Sequence, residues 1–134
     1  MKKIAVFTSS LALLMLAFAL QSATPEDDKV MTKEDGMYVV NTTTLGKNIT
    51  GYVSTTPVKV YIKKNKVVKV EALKNQETPK YMARVKKGLL DKWDNKKVND
   101  AQKMKVDGVT GATFTSDAII QNVQLALNYY KKNK

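Results

Sequence analysis

The 134-residue sequence has no cysteine and no histidine, and only one tryptophan and one arginine. Without cysteine there can be no disulfide, thiolate nucleophile, cysteine-based metal site or lipoprotein anchor. Without histidine the commonest metal ligand and the usual general base near neutral pH are missing. Ser–His and Cys–His hydrolysis are therefore excluded. Acidic residues are few, 12 against 23 Lys and Arg, and the net charge is +11. That charge is scattered along the chain and has little aromatic interleaving, which argues against nucleic acid as a partner. An acidic polymer, a membrane surface or an acidic protein would suit it better.

Long apolar runs are also scarce. The one that stands out, Ile4 to Leu20, follows Met1-Lys2-Lys3 and reads as a secretory signal peptide. Ala17, Ala19, Ser22 and Ala23 offer small residues for cleavage, and cutting is expected after Ala23, making 1–23 the signal and the protein periplasmic or extracellular. The alternative is an uncleaved membrane anchor, for which the run is short and broken by Thr8, Ser9 and Ser10. Residues 24–36, with Pro25, Glu26, Asp27, Asp28, Glu34 and Asp35, have little to bury and read as a flexible leader. Residues 37–134 have room for a single domain, expected to be monomeric.

Within that domain, Met37 to Val40 starts a strand, and the glycine- and threonine-rich stretch from Asn41 to Gly51 is a turn region. Its two Asn-x-Thr sequons, at Asn41 and Asn48, are chance matches behind a bacterial-looking leader. Tyr52 to Thr56 is a short strand candidate. Val58 to Lys63 and Val68 to Ala72 alternate with period two around Lys63-Lys64-Asn65-Lys66, which predicts a β-hairpin. Val58, Val60 and Ile62 should face the core, and the lysines should form a solvated outer face that discourages edge pairing.

Thr78 and Pro79 suit the N-cap and first position of a helix. Tyr81, Val85, Leu89 and Trp93 then recur at four-residue steps. The lone Trp93 belongs in the core rather than on a ligand. Residues 93–105 are mixed and lysine-rich, a surface connection. Asp117 to Lys132 reads as a second amphipathic helix, with Ile120, Val123, Leu127 and Tyr130 on one face and Ile119 and Ala126 beside it. The expected fold is α+β: a small, largely antiparallel sheet packed against two amphipathic helices.

Between these helices lies Asp107-Gly108-Val109-Thr110-Gly111-Ala112-Thr113-Phe114-Thr115-Ser116. A carboxylate, permissive glycines and hydroxyls beside a helix start suit a phosphate. They would equally suit an ordinary cap in which Thr115 or Ser116 caps the helix and the glycines turn the chain. The order Asp, two residues, Thr, Gly-Ala-Thr resembles the flavinylation motif of the FMN-binding domain family. That family includes flavin subunits of Rnf-type electron-transport complexes and of the sodium-pumping NADH:quinone oxidoreductase. The resemblance runs from about Gly51 to Tyr130. It implies that a flavin transferase esterifies FMN to Thr113, with Asp107, Thr110, Gly111 and Ala112 as the recognised element and Thr115 and Ser116 beside the phosphate. It also implies that Glu77, Thr78 and Pro79 match a Glu-Thr-Pro element lying beside the flavin ring. Asn75 and Lys80 depart from the histidine and glycine common around that element.

Together with the expected signal peptide, the resemblance implies an exported single-domain electron carrier between redox partners that can be membrane-bound, with covalent FMN as cofactor. Its lysines would steer it towards an acidic partner. The rival expectation is a non-flavinylated extracellular module of similar fold that binds a peptide or protein. The intact motif argues against that rival.

Overall fold

The strongest alternation in the sequence becomes the centre of a sheet. In a computed structural model describing residues 29–134, β3 (Val58–Lys63) and β4 (Lys66–Ala72) pair antiparallel as a hairpin. Lys64 and Asn65 turn it with φ of 52° and 61°, the left-handed pair that matches the right-handed twist of the strands. Two further strands complete an antiparallel meander, β1 (Met31–Glu34) and β2 (Met37–Asn41), in the order β1-β2-β3-β4. The expected signal peptide, 1–23, lies outside the described residues, as does the start of the leader.

Three α-helices cover one face of the sheet: α1 (Pro79–Gly88), α2 (Val98–Lys103) and α3 (Thr113–Asn133). A 3-10 turn at Leu90–Trp93 extends α1. The α+β expectation holds. Val40, Val58, Val60 and Ile62 from the strands meet Val85, Leu89, Trp93, Ile119, Val123 and Leu127, all fully buried. Trp93 is thus a core residue, as its spacing predicts. At the far end of α3, Tyr130 packs edge-on against Tyr38 with ring centroids 5.3 Å apart, and donates a 2.5 Å hydrogen bond to Asn65 in the hairpin turn. No helix among the described residues is long and apolar enough to cross a membrane.

Several expectations need correction. The leader does not extend to Gly36, because Met31–Glu34 pairs with Met37–Val40 and the Asn41 N–H donates to Val30 at 2.7 Å. The ordered domain therefore begins before Met37. Tyr52 to Thr56 is no strand: its one ladder contact is an isolated bridge between Thr50 and Thr55. The stretch after Trp93 is more than a surface connection, since α2 buries Val98 and Ala101. Helix α3 starts at Thr113, four residues before Asp117, which leaves its first turn without an acidic residue.

The hairpin also carries a register shift between Tyr61 and Ile62. Tyr61 pairs with Lys69 while Ile62 pairs with Val67, so Val68 is the extra residue of a bulge. Strict alternation from Ala72 back to Val68 puts Val68 inward. Instead Val67 is fully buried and Val68 is 40% exposed. Val67→Ala should therefore cost about 2 kcal/mol in chemical denaturation, and Val68→Ala under about 0.5 kcal/mol. Equal losses would contradict the bulge.

Candidate functional site

The segment from Asp107 to Thr113 turns so that one small side chain plugs the core and its neighbours stay outside. The Ala112 N–H donates to the Val109 carbonyl at 3.0 Å, closing a turn over Thr110 and Gly111, and Gly111 takes φ of +82°. Ala112 is 3% exposed, whereas Asp107, Gly108, Thr110, Gly111 and Thr113 all face solvent. Ser116 anchors the loop from beneath: its Oγ accepts the Val109 N–H at 3.0 Å. Gly108 eases that approach, because a Cβ there would lie a tight 3.0 Å from Ser116 Cβ. Lys92 Nζ donates to the Asp107 carbonyl at 3.2 Å.

Thr113 is the first residue of α3. Its hydroxyl makes no hydrogen bond with any described residue, and no side chain caps the helix. The first-turn N–H groups and the positive end of the helix dipole therefore face outward beside an exposed hydroxyl. Neither Thr115 nor Ser116 caps, which corrects the plain helix-cap expectation. Both are buried in the second half of the turn.

Glu77 is the hub of the neighbouring wall. Its Oε1 accepts the Tyr52 N–H at 2.6 Å and the Thr115 hydroxyl at 2.8 Å. Its Oε2 accepts the N–H groups of Val53 at 2.6 Å and Ser54 at 2.8 Å. Burial pushes the Glu77 carboxyl pKa up, but the bonds from Ser54, Thr115, Val53 and Tyr52 together outweigh it and hold the value below the ordinary glutamate range. Gly51 makes room for the carboxylate, since a Cβ there would fall 2.0 Å from Oε1. A buried anion thus ties the 51–54 loop to α3 with no basic side chain involved.

The loop and the motif enclose an open cleft of about 270 Å³ lined by Tyr52, Tyr81, Gly111, Ala112, Thr113, Phe114 and Thr115. Its lips are aromatic. Tyr52 stands edge-on to Tyr81, with centroids 5.5 Å apart, and lies 6.2 Å from Phe114 at a shallow angle. Tyr52 is 58% and Phe114 66% exposed. Large apolar rings held open to solvent in this way mark a binding surface.

Of the sequence-derived site residues, Gly111, Ala112, Thr113 and Thr115 line this cleft, and Asp107 and Thr110 flank it on the exposed loop. Glu77 acts from behind. The hydroxyls of Thr115 and Ser116 bond inward, to Glu77 and to the Val109 N–H, so they hold the site together and do not reach into it. Pro79 opens on a different groove, with Ala72 and Met82, and Thr78 starts α1 through its carbonyl. Neither lines the cleft beside Thr113.

Sequence reasoning passed over Tyr52, Tyr81 and Phe114. A usable signal was Phe114 itself, a large aromatic at a helix start where nothing in the apolar spacing called for one.

The sequence model of the FMN-binding domain family matches residues 51–128, more than half of the chain and the whole of this cleft. The chain belongs to the FMN-binding domain family. No curated protein and no solved structure matches it.

The residues of this FMN-binding domain fit the cofactor. An uncapped helix start leaves N–H donors for a phosphate, Gly111 lets a guanidinium lie against the loop, and the Tyr52–Phe114 lip offers π-faces for the ring.

Proposed function

We propose that this FMN-binding domain carries its cofactor as a phosphoester on Thr113 and works as an exported electron carrier between redox partners. One observation carries the reading: an exposed hydroxyl with no hydrogen-bond partner among the described residues, at the first residue of an uncapped helix, opening on an aromatic cleft. FMN supplies the redox chemistry when bound, and the protein positions it.

Attachment needs a transferase and FAD. The Thr113 hydroxyl oxygen forms a bond to the phosphorus next to riboflavin, and the pyrophosphate P–O bond breaks. AMP leaves with the electron pair, and the hydroxyl proton passes to the transferase. The chain has no histidine, and among the described residues neither carboxylate of the region, Asp107 or Glu77, bonds to Thr113. Asp107, Thr110 and Gly111 stand exposed on the same loop, where an enzyme can read them. Covalent attachment also makes sense outside the cytoplasm, where lost FMN is not readily replaced.

Co-expression with and without a flavin transferase tests this. With the enzyme, intact mass should rise by one FMN minus one water, and yellow colour should survive denaturation and map to Thr113. A colourless, unmodified product in both samples would contradict the reading and favour a peptide-binding module.

A further inference from the structure

We propose that Arg84 is the phosphate-binding residue of this site, taking the phosphate carried on Thr113 in its guanidinium fork. The inference rests on the flavin reading above and assigns a role to a residue outside the motif.

Arg84 is the single arginine in a chain whose other 22 basic residues are lysines. It lies on α1 three residues after Tyr81, which lines the cleft, so the two share a helix face. Its guanidinium occupies the space directly over Gly111. A Cβ built on that glycine would lie 2.1 Å from Nη1 and 3.4 Å from Cζ. Gly111 lines the cleft two residues before Thr113.

Arg84 has no reason to be there for stability. The side chain is exposed, and it makes no hydrogen bond or ion pair with any described residue, Asp107 included. A solvated positive charge could as well be lysine, as it is elsewhere on this surface. Arginine differs in its planar fork of five donors, which meets two phosphate oxygens at once and holds a fixed orientation. A phosphodiester on Thr113 carries one negative charge. It would then lie between the free N–H groups of α3 on one side and Arg84 on the other. That clamp would fix the orientation of a cofactor otherwise tethered by a single rotatable ester.

The single arginine makes the test direct, because its Nε–H gives one resolvable signal in a nitrogen–proton correlation spectrum. The comparison is the wild-type protein expressed without transferase against the same protein flavinylated, with loading confirmed by mass. The flavinylated form should show that signal shifted and its proton exchange slowed by about tenfold or more. Flavinylated Arg84→Lys keeps the charge but loses the fork, so its phosphorus resonance should shift and narrow relative to wild type. An unmoved, fast-exchanging arginine signal in fully flavinylated wild type would overturn the assignment and leave the flavin reading intact. An Arg84→Lys phosphorus resonance identical to wild type would do the same. Failure of the wild type to acquire flavin at all would overturn both.

Discussion

Thr113→Val should abolish covalent flavin completely while leaving the fold in place. The substitution removes only the hydroxyl and keeps the shape of the side chain. At an exposed position with no hydrogen bond to lose, the stability change should stay within about 0.5 kcal/mol. Intact mass after co-expression with the transferase should read as the unmodified polypeptide. Thr115→Val, two residues on, should behave in the opposite way. Thr115 is buried and its hydroxyl donates to Glu77, so the loss falls on stability and leaves the acceptor hydroxyl untouched. Covalent flavin persisting on the Thr113→Val protein would refute the attachment site. Equal loss of flavin from both variants at matched stability would show that the segment is read as a whole.

The second large effect should come from Glu77→Gln. The carboxylate accepts four hydrogen bonds with both oxygens, and the amide keeps one acceptor while turning an NH₂ towards donors. At least one backbone N–H of the part-buried 52–54 loop loses its partner. The expected cost is roughly 2–3 kcal/mol, measured by chemical denaturation. Because Tyr52 rides on the tethered loop, the cleft should loosen as well, and its aromatic circular dichroism should weaken.

The pH dependence carries the sign. The folded pKa of Glu77 is lowered, so its stabilisation is present above the ordinary glutamate value and is lost as pH falls through the folded value. Wild type should lose stability on acidification below about 4.5, the ordinary value, and the variant should lose less. Asp94, whose pKa is raised by burial and by Asp91, titrates in both proteins and cancels in the difference. Parallel pH curves for the two proteins would remove Glu77 from this role.

The parts legible in the sequence were those written in local chemistry. The Val58–Lys63 alternation and the Asn65 turn are short-range, and the hairpin formed where they predict it. The four-residue spacing from Tyr81 to Trp93 likewise produced a helix and its 3-10 extension, with Trp93 inside. Strand β1 was missed because Met31-Thr32-Lys33-Glu34 has no apolar alternation. An edge strand of that kind is held by ladder hydrogen bonds to β2, which only the partner supplies. Helix α2 was missed for a similar reason: six residues are too few for a periodic signal, and Val98 and Ala101 become core only because β4 and α3 pass close by.

For the site, the sequence by itself determined the chemistry available. It supplied a threonine in a Gly-Ala-Thr sequence next to the last helix and excluded histidine and cysteine catalysis. Tertiary structure alone decided which hydroxyl is free. Thr113 and Thr115 sit in the same decapeptide, yet one faces solvent at the helix start and the other is drawn inward by a glutamate 38 positions away in the chain. It also decided that Tyr52, Tyr81 and Phe114, from three separate segments, form one aromatic rim, and that Arg84 lies over Gly111. The physical reason is the same in each case. Local backbone preferences act over a few residues, whereas a buried carboxylate or an aromatic contact depends on groups that meet only once the sheet and helices have packed.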